Sequence, residues 1–338
     1  MDEYLDALTF YIHKNFRGIS MKLYNNTVWF SFLFLLIVAS GCVPFNGSVT
    51  VSPSILPTES KIPTQKPIAT STLLPFPTVT PVPSIEDNQK ILLELLANNG
   101  GCRLPCLWGI TPGKSTYQES QTIFNQLSVL SDRTSFLPEG GTITPIYTDG
   151  NLMLRINTGF NIDTLSDNQV VKRVGFQARA LKRDNNGSSE LFDWPFFSKQ
   201  LDYYMLPNIL SEYGSPTTVM LSTMAKLPSS GVPGGFKILL LYPDQGILVN
   251  YTMQMQLAGE NIIGCPSNAH VEFELFPSGQ ADLFFDLLEP SGWSQIIQKT
   301  YKSIDEVTSM TKEDFYQIFS QRLDECILTP ANLWPIPN

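Results

Sequence analysis

The chain is poor in the side chains that most enzymes and nucleic-acid-binding proteins use. Its 338 residues include two histidines, and 22 lysines and arginines stand against 31 acidic residues, a net charge of −9. No cluster of Lys or Arg interrupts this acidity, so binding to nucleic acid, which depends on basic residues, is not expected. His13 falls in a segment that we expect to be removed. His270 has no motif around it and is interpreted as structural.

Catalytic motifs are also absent from the sequence, which contains no G-x-S-x-G, no H-E-x-x-H and no phosphate-binding glycine loop. Residues 309–312 and 166–168 match the S-x-x-K and S-D-N elements of penicillin-binding proteins. Their order is reversed and no K-T-G follows, so we interpret the first as a helix start and the second as a turn. A hydrolase based on two acidic residues remains the alternative, because such pairs have no fixed spacing in sequence.

The apolar run near the start of the chain is too short to cross a bilayer. Val28 to Ala39 is apolar except for Ser31, about twelve residues against the roughly 20 that a spanning helix needs. This length fits the core of a signal peptide. Ser40, Gly41 and Cys42 follow it and resemble the bacterial lipobox, in which the cysteine receives a diacylglyceryl group and then becomes the first residue. A buried helix that ends in cysteine and an ordinary secretory cleavage are the alternatives.

Residues 1–20 do not fit the start of a signal peptide. They hold three acidic residues and two basic ones, whereas a signal peptide opens with a short basic segment. Met21 followed by Lys22 fits, so we predict that translation starts at Met21 and that residues 21–41 are the signal peptide. Residues 1–20 are then an extension of the gene model. Residues 1–41 hold as many basic as acidic residues, so the mature chain keeps the net charge of −9.

Residues 42–84 are predicted to be a disordered tether that begins at the lipidated Cys42. Residues 43–84 contain nine prolines and thirteen serines or threonines. This composition cannot bury a core and favours extended, polyproline-like conformations. At about 3.1 Å per residue the tether would reach on the order of 130 Å when extended. It would therefore hold the body of the protein well clear of a membrane.

The body is predicted to be α+β, with two tandem units of helices packed on antiparallel sheets, over residues 85–182 and 183–338. In the first unit, two capping pairs are predicted to start two helices. The first pair is Ser84 with Asp87, and the second is Ser115 or Thr116 with Gln118 or Glu119. Three strands are predicted to follow as an antiparallel meander with a turn at Asp149-Gly150, over 142–148, 151–162 and 169–181.

The second unit repeats the order of helix and strands. Its first helix is predicted to end at Gly214, and its last to start near Thr311 with Asp314 as the capping partner. Strands are predicted over 236–242, 247–253, 269–276 and 281–288. In the third of these, Glu272 and Glu274 alternate with apolar residues, which predicts one buried face and one face in water.

Two segments carry a resemblance to a known family. GITPGKSTYQESQTIFNQL and NILSEYGSPTTV resemble the helix and turn of the SmpA/OmlA-like small outer-membrane-assembly lipoproteins. The resemblance implies helices packed on a three-stranded antiparallel sheet and a role in binding without catalysis. The lipobox, the tether and CRLPCLWGITPGKST together also resemble a type of bacterial lipoprotein in which no activity is implied.

Four cysteines remain when Cys42 is lipidated, and an even number in an exported chain is typical of disulfides. Of the three possible connectivities we favour Cys102 with Cys106 and Cys265 with Cys326. The second bond closes a loop of about 60 residues and is worth roughly 3 to 4 kcal/mol. A four-thiolate zinc site and a C-x-x-x-C redox pair are the alternatives.

The sequence thus predicts a lipid-anchored, extracytoplasmic protein of a bacterial membrane that acts without catalysis and needs no cofactor. Its partners would be the membrane, through Cys42, and an envelope protein or a glycan. Trp108, Trp194 and Trp293 form the predicted binding surface, since aromatic rings offer large rigid contact areas. The alternative is that these rings fill the core. A cell-envelope hydrolase and a solute-binding protein are the other functions to be weighed.

Overall fold

Antiparallel strands and short helices build the part of the chain that the computed structural model describes. The described residues are 84–164, 169–184, 187–190, 199–224, 235–280, 284–288, 293–322 and 324–334. All of them belong to one compact unit, Pro77–Asn338. The predictions on residues 1–83, among them Cys42 and the tether, lie outside the described residues, as do those on residues 166–168 and on Trp194.

Seven α-helices occur within the described ranges. They are α1 Ile85–Asn98, α2 Tyr117–Leu127, α3 Leu206–Tyr213, α4 Phe284–Leu288, α5 Trp293–Thr300, α6 Ile304–Val307 and α7 Lys312–Phe319. None of them is both long enough and apolar enough to cross a membrane.

Reciprocal capping pairs start three of the helices, as the sequence predicted. Ser84 and Asp87 cap α1, Thr116 and Glu119 cap α2, and Thr311 and Asp314 cap α7. In each pair the hydroxyl accepts from one orphan backbone N–H while the carboxylate accepts from the other. Residues 309–312 therefore lead into a helix, with Lys312 as its first residue.

One antiparallel sheet contains the twelve described strands. They are β1 Ser131–Leu137, β2 Gly140–Asp149, β3 Leu152–Ile162, β4 Val171–Asp184, β5 Gly187–Glu190, β6 Thr218–Met224, β7 Gly235–Tyr242, β8 Ile247–Ala258, β9 Asn261–Gly264, β10 His270–Leu275, β11 Lys302–Ser303 and β12 Ile327–Pro330. The main order is β1-β2-β3-β4-β10-β8-β7-β6-β11. β5 extends from β4, and β9 links β8 to β12.

The strand order is symmetric about its centre. Helix α2 precedes the run β1 to β4, and α3 precedes β6, β7, β8 and β10. The last strands of the two runs, β4 and β10, pair antiparallel in the middle of the sheet, and the first strands, β1 and β6, lie towards its edges. The boundary predicted between residues 182 and 183 falls within β4. The two predicted units thus contribute strands to a single sheet.

Helices α1, α2, α3, α6 and α7 cover one face of the sheet, which holds the main core. Leu92, Phe124, Leu210 and Phe315 reach this core from the helices and meet strand residues such as Phe273. The second face is covered only in part. There α4 and α5 bury Leu239, Leu241 and Leu248 beneath Phe284, Ile297 and Tyr301.

Two predictions about the strands need correction, and the edge strand β1 was missed. Residues 281–288 were predicted as a strand, but 284–288 form α4, whose Phe284 packs on the Phe276 ring at 5.5 Å. Glu274 was predicted to face water, yet it is 5% exposed because Arg173 pairs with it. β1 was not predicted, because its residues are polar and mostly exposed at a sheet edge and lack an alternating pattern.

Both favoured disulfides are present. Cys102 pairs with Cys106 in the loop after α1, and Cys265 pairs with Cys326. Cys265 directly follows β9 and Cys326 directly precedes β12, two strands that pair with each other. The second bond therefore fastens the end of the chain to the sheet.

Candidate functional site

A polar surface lies on the part of the second face that α4 and α5 leave uncovered. It arises because side chains alternate between the two faces of a strand. In β10, Val271, Phe273 and Leu275 enter the main core, so His270 and Glu272 project from the opposite face. Gln177 and Arg179 of β4 alternate in the same way with Phe176 and Ala178. Polar residues of four adjacent strands thus share one face.

The strand register aligns these residues into two parallel rows across the sheet. The row that we call the basic row holds Arg155, Arg179, His270, Thr252 and Lys237. The next row, two positions along each strand, is the amide row and holds Asn157, Gln177, Glu272 and Asn250. Sheet register brings these residues together from five strands, and β3 and β4 lie more than 50 positions before β7, β8 and β10 in the sequence.

The middle of the two rows encloses a cavity of about 140 Å³. We call it the polar cleft. It is lined by Gln177, Arg179, Lys237, Asn250, Thr252, His270, Val271 and Glu272. Seven of these eight residues carry a polar side chain, which is unusual for a cavity on a largely apolar sheet.

A chain of hydrogen bonds fixes the amide row. The Tyr301 hydroxyl donates to Asn250 Oδ1 at 3.0 Å, and Asn250 Nδ2 donates to Glu272 Oε2 at 3.1 Å. Tyr301 follows α5, so the helix layer on the second face orients one wall of the cleft. At the other end of the row, Asn157 Nδ2 donates to Gln177 Oε1 at 3.3 Å.

Burial shifts the pKa values of two groups of the cleft in opposite directions. Desolvation raises the pKa of the Glu272 carboxyl, an effect that the hydrogen bond from Asn250 opposes. Desolvation also lowers the pKa of the Lys237 ammonium, against the attraction of Glu272. Both shifts have the same cause, because low polarity disfavours the charged form of each group. Perturbed groups that line one cavity are typical of functional sites.

Lys237 has no ion pair or hydrogen bond among the described residues, although Glu272 lies in the same cleft. It stands in the strand GFKILLLY, where Phe236 and Ile238 on either side are fully buried in the main core. A lysine near the start of an otherwise apolar strand is the one signal in the sequence that pointed to the cleft. Lys237 was not among the residues predicted from sequence.

A second carboxylate, that of Glu274, lies next to the cleft but is already paired with Arg173. Glu274 is two positions after Glu272 on the same face, and Arg173 Nε and Nη2 donate to its two oxygens at 2.5 and 2.6 Å. This pairing leaves Glu272 as the one carboxylate that lines the cavity. Within the described residues, no group of three or more His, Cys, Asp or Glu is placed to hold a metal ion.

None of the residues that line the polar cleft was predicted from sequence as a binding residue. Trp108 is 4% exposed, and its indole N–H donates to the Tyr204 hydroxyl at 3.1 Å, so it occupies the core, the alternative left open by the sequence. Trp194 and the side chain of Trp293 lie outside the described residues, and a binding surface there stays a prediction. His270 starts β10 and lines the polar cleft.

Comparison with models of protein families, with curated proteins and with solved structures finds no match to this chain.

Proposed function

We propose that this protein is a lipid-anchored, extracytoplasmic binding protein that holds its ligand in the polar cleft without transforming it. The observation that carries this proposal is the cleft itself, a cavity that gathers polar and charged side chains around one carboxylate. A few convergent polar groups in a concave site are what a small-ligand site requires.

The same geometry favours binding over the hydrolase alternative. Glycoside cleavage by acidic residues needs two carboxyl groups about 5 to 10 Å apart, one of them free to move a proton. Glu272 is a single carboxylate in the cavity, and the neighbouring Glu274 is held by two hydrogen bonds from Arg173. A glycan or an envelope protein is the partner class that fits the proposed location.

The proposed location rests on the sequence. The apolar run before Cys42 and the Pro/Thr-rich tether after it are the expected parts of a lipoprotein, and the two disulfides suit an oxidising compartment. We propose that Cys42 carries the lipid after cleavage of residues 21–41.

We also propose that the body consists of two tandem units, in keeping with the resemblance to the SmpA/OmlA-like lipoproteins. The support is the repeated order of one helix and four antiparallel strands, arranged symmetrically about the β4–β10 pair. Each unit would then be one helix-and-sheet module, and the polar cleft would lie across their junction.

Lipidation is tested by expressing the full chain in a bacterial host with an alkyne-tagged fatty acid. We expect label on the wild type, none on a Cys42→Ser variant, and an intact mass that corresponds to cleavage before Cys42. If the wild-type chain is found in the membrane fraction but carries no label, the proposed anchor is wrong.

Binding without catalysis is tested by co-sedimentation of the full chain, purified in detergent, with isolated cell-wall glycan. We expect saturable sedimentation that a Glu272→Gln, Lys237→Met double variant loses, with no soluble reducing ends released during incubation. Release of sugar fragments by the wild type alone would instead establish the hydrolase. Sedimentation that is equal in both proteins would remove the cleft from the proposal.

A further inference from the structure

We propose that the polar cleft is an oxyanion site, which binds the carboxylate or phosphate group of a small polar ligand through Lys237 and Arg179. Glu272 and Asn250 would contact a hydrogen-bond donor on the same ligand. The inference rests on the proposed function in one respect, the location of the ligand in the cleft.

The charge of the cleft contrasts with that of the protein. The whole chain carries −9, yet Arg179 and Lys237 line the cavity against one carboxylate, Glu272. Two basic side chains that line one cavity of an acidic protein make that cavity a favoured place for an anion. Arg155 lies at one end of the basic row, where it forms an ion pair with Asp132.

The basic row places like charges next to each other. Arg155 of β3 and Arg179 of β4 are directly opposite in the ladder. Like charges at such cross-strand positions destabilise a sheet. The Arg155 Nε is also buried and without a hydrogen-bond partner among the described residues, and its other contact is an ion pair with Asp132 at 3.4 Å.

Lys237 lines the cavity and has no ion pair or hydrogen bond within the described ranges, although Glu272 attracts its charge. Its strand neighbours Phe236 and Ile238 fix the backbone in the core, so the ammonium is held at the cleft and not in bulk water. A bound oxyanion would supply the missing partner. The lowered pKa of the ammonium, which burial causes, would then rise towards its ordinary value.

The size and the remaining groups of the cleft limit the ligand. A cavity of about 140 Å³ is smaller than a typical drug-binding pocket and admits one small headgroup. Gln177 also lines the cavity, and its side-chain amide carries N–H groups, which are further donors for an oxyanion. The Glu272 carboxylate, which Asn250 holds in place, is an acceptor for a hydroxyl, amide or ammonium group of the ligand.

The test is isothermal titration calorimetry on the full chain with four probes, inorganic sulfate, glucuronate, glucose 6-phosphate and neutral glucose. We expect the anions to bind and glucose not to bind measurably. A preference for glucuronate identifies a carboxylate ligand, and a preference for glucose 6-phosphate identifies a phosphate ligand. Equal binding of glucose and the anions would overturn the proposal.

Three variants separate the site from general effects. Lys237→Met should weaken anion binding about ten- to hundredfold, as expected for loss of a charged hydrogen bond. Glu272→Gln, which keeps the shape and removes the repelling charge, should strengthen it roughly threefold or more. Lys90→Met, an exposed change on α1 at the opposite face, should have no effect. Opposite effects at Lys237 and Glu272 cannot result from misfolding.

The outcomes also separate this inference from the proposed function. If the cleft variants lose cell-wall glycan but no probe anion binds, the protein is a binding module and the oxyanion site is wrong. If sulfate binds with the expected variant effects while cell-wall glycan does not sediment the protein, the oxyanion site stands and the glycan partner is wrong. Equal anion binding by wild type and Lys237→Met contradicts the inference in either case.

Discussion

Replacing Arg173 by Met tests the ion pair at the centre of the sheet. Arg173 and Glu274 join β4 to β10 through two short hydrogen bonds, and their side chains are 28% and 7% exposed. The two residues are diagonal neighbours, because Gly175 is directly opposite Glu274 and leaves room for the Glu274 carboxylate. Arg173→Met would leave a buried carboxylate without its partner.

Breaking a buried pair in this way costs about 3 to 5 kcal/mol. Since Arg173 is partly exposed, solvent screens its charge, and we expect the lower end of that range, about 3 kcal/mol. In a domain of this size each kcal/mol shifts Tm by about 2 to 4 °C, so Tm should fall by about 6 to 12 °C. Thermal and urea unfolding followed by circular dichroism measure the change.

The double variant Arg173→Met, Glu274→Met is the control. Apolar residues of similar size often replace a buried ion pair without loss, so it should lie within about 1 kcal/mol of the wild type. If the single variant unfolds like the wild type, or if the double variant is no more stable than the single one, the pair does not stabilise the centre of the sheet.

Three further predictions concern stability. Replacing Cys265 and Cys326 by Ser should lower the free energy of unfolding by about 4 kcal/mol, because the bond closes a loop between residues 61 positions apart. Urea unfolding of this variant and of the wild type, both without reductant, measures the difference, and equal stabilities would contradict it. Gly150→Ala should lower the free energy of unfolding by only about 1 to 2 kcal/mol, because of its positive φ. Gly246→Ala, with a similar φ, should lower it more, because the new methyl group would overlap the carbonyl oxygen of Phe276. Equal losses for the two variants contradict this packing. Burial raises the pKa of Glu272, so the native state binds its proton more tightly and loses stability as the pH rises through that pKa. Glu272→Gln removes this loss of stability with pH. The Tm of the variant minus that of the wild type should therefore grow from pH 4 to pH 8, and a constant difference in Tm would show that Glu272 is not desolvated.

The helices were the part of the fold that local sequence determines. The pairs Ser84–Asp87 and Thr311–Asp314 predict helix starts because the hydrogen bonds involved span only three residues. The end of α1 was equally local, since Asn99 takes the left-handed conformation that stops a helix. A short apolar run, in contrast, does not determine its own secondary structure. Residues 284–288 fit a strand or a buried helix equally well by pattern, and packing on Phe276 selects the helix.

The sheet and the cleft could be predicted less completely, because they depend on long-range register. β2, β3, β4, β7, β8 and β10 alternate or are strongly apolar, and they were predicted. The cleft depends on which residues come to lie opposite each other, such as Glu272 between Gln177 and Asn250. Nothing in the sequence near any one of these residues indicates the other two.

The central position of the β4–β10 pair has a consequence for how the chain folds. Arg173 and Glu274 are 101 positions apart, while the hairpins on either side pair residues that are close in sequence. Closing so large a loop is slow, and hairpins form faster than such distant contacts. The two outer halves of the sheet would therefore form early, and their joining would be the late step. Arg179 comes from one half and Lys237, Asn250 and Glu272 from the other, so the cleft is completed only when that last step is done.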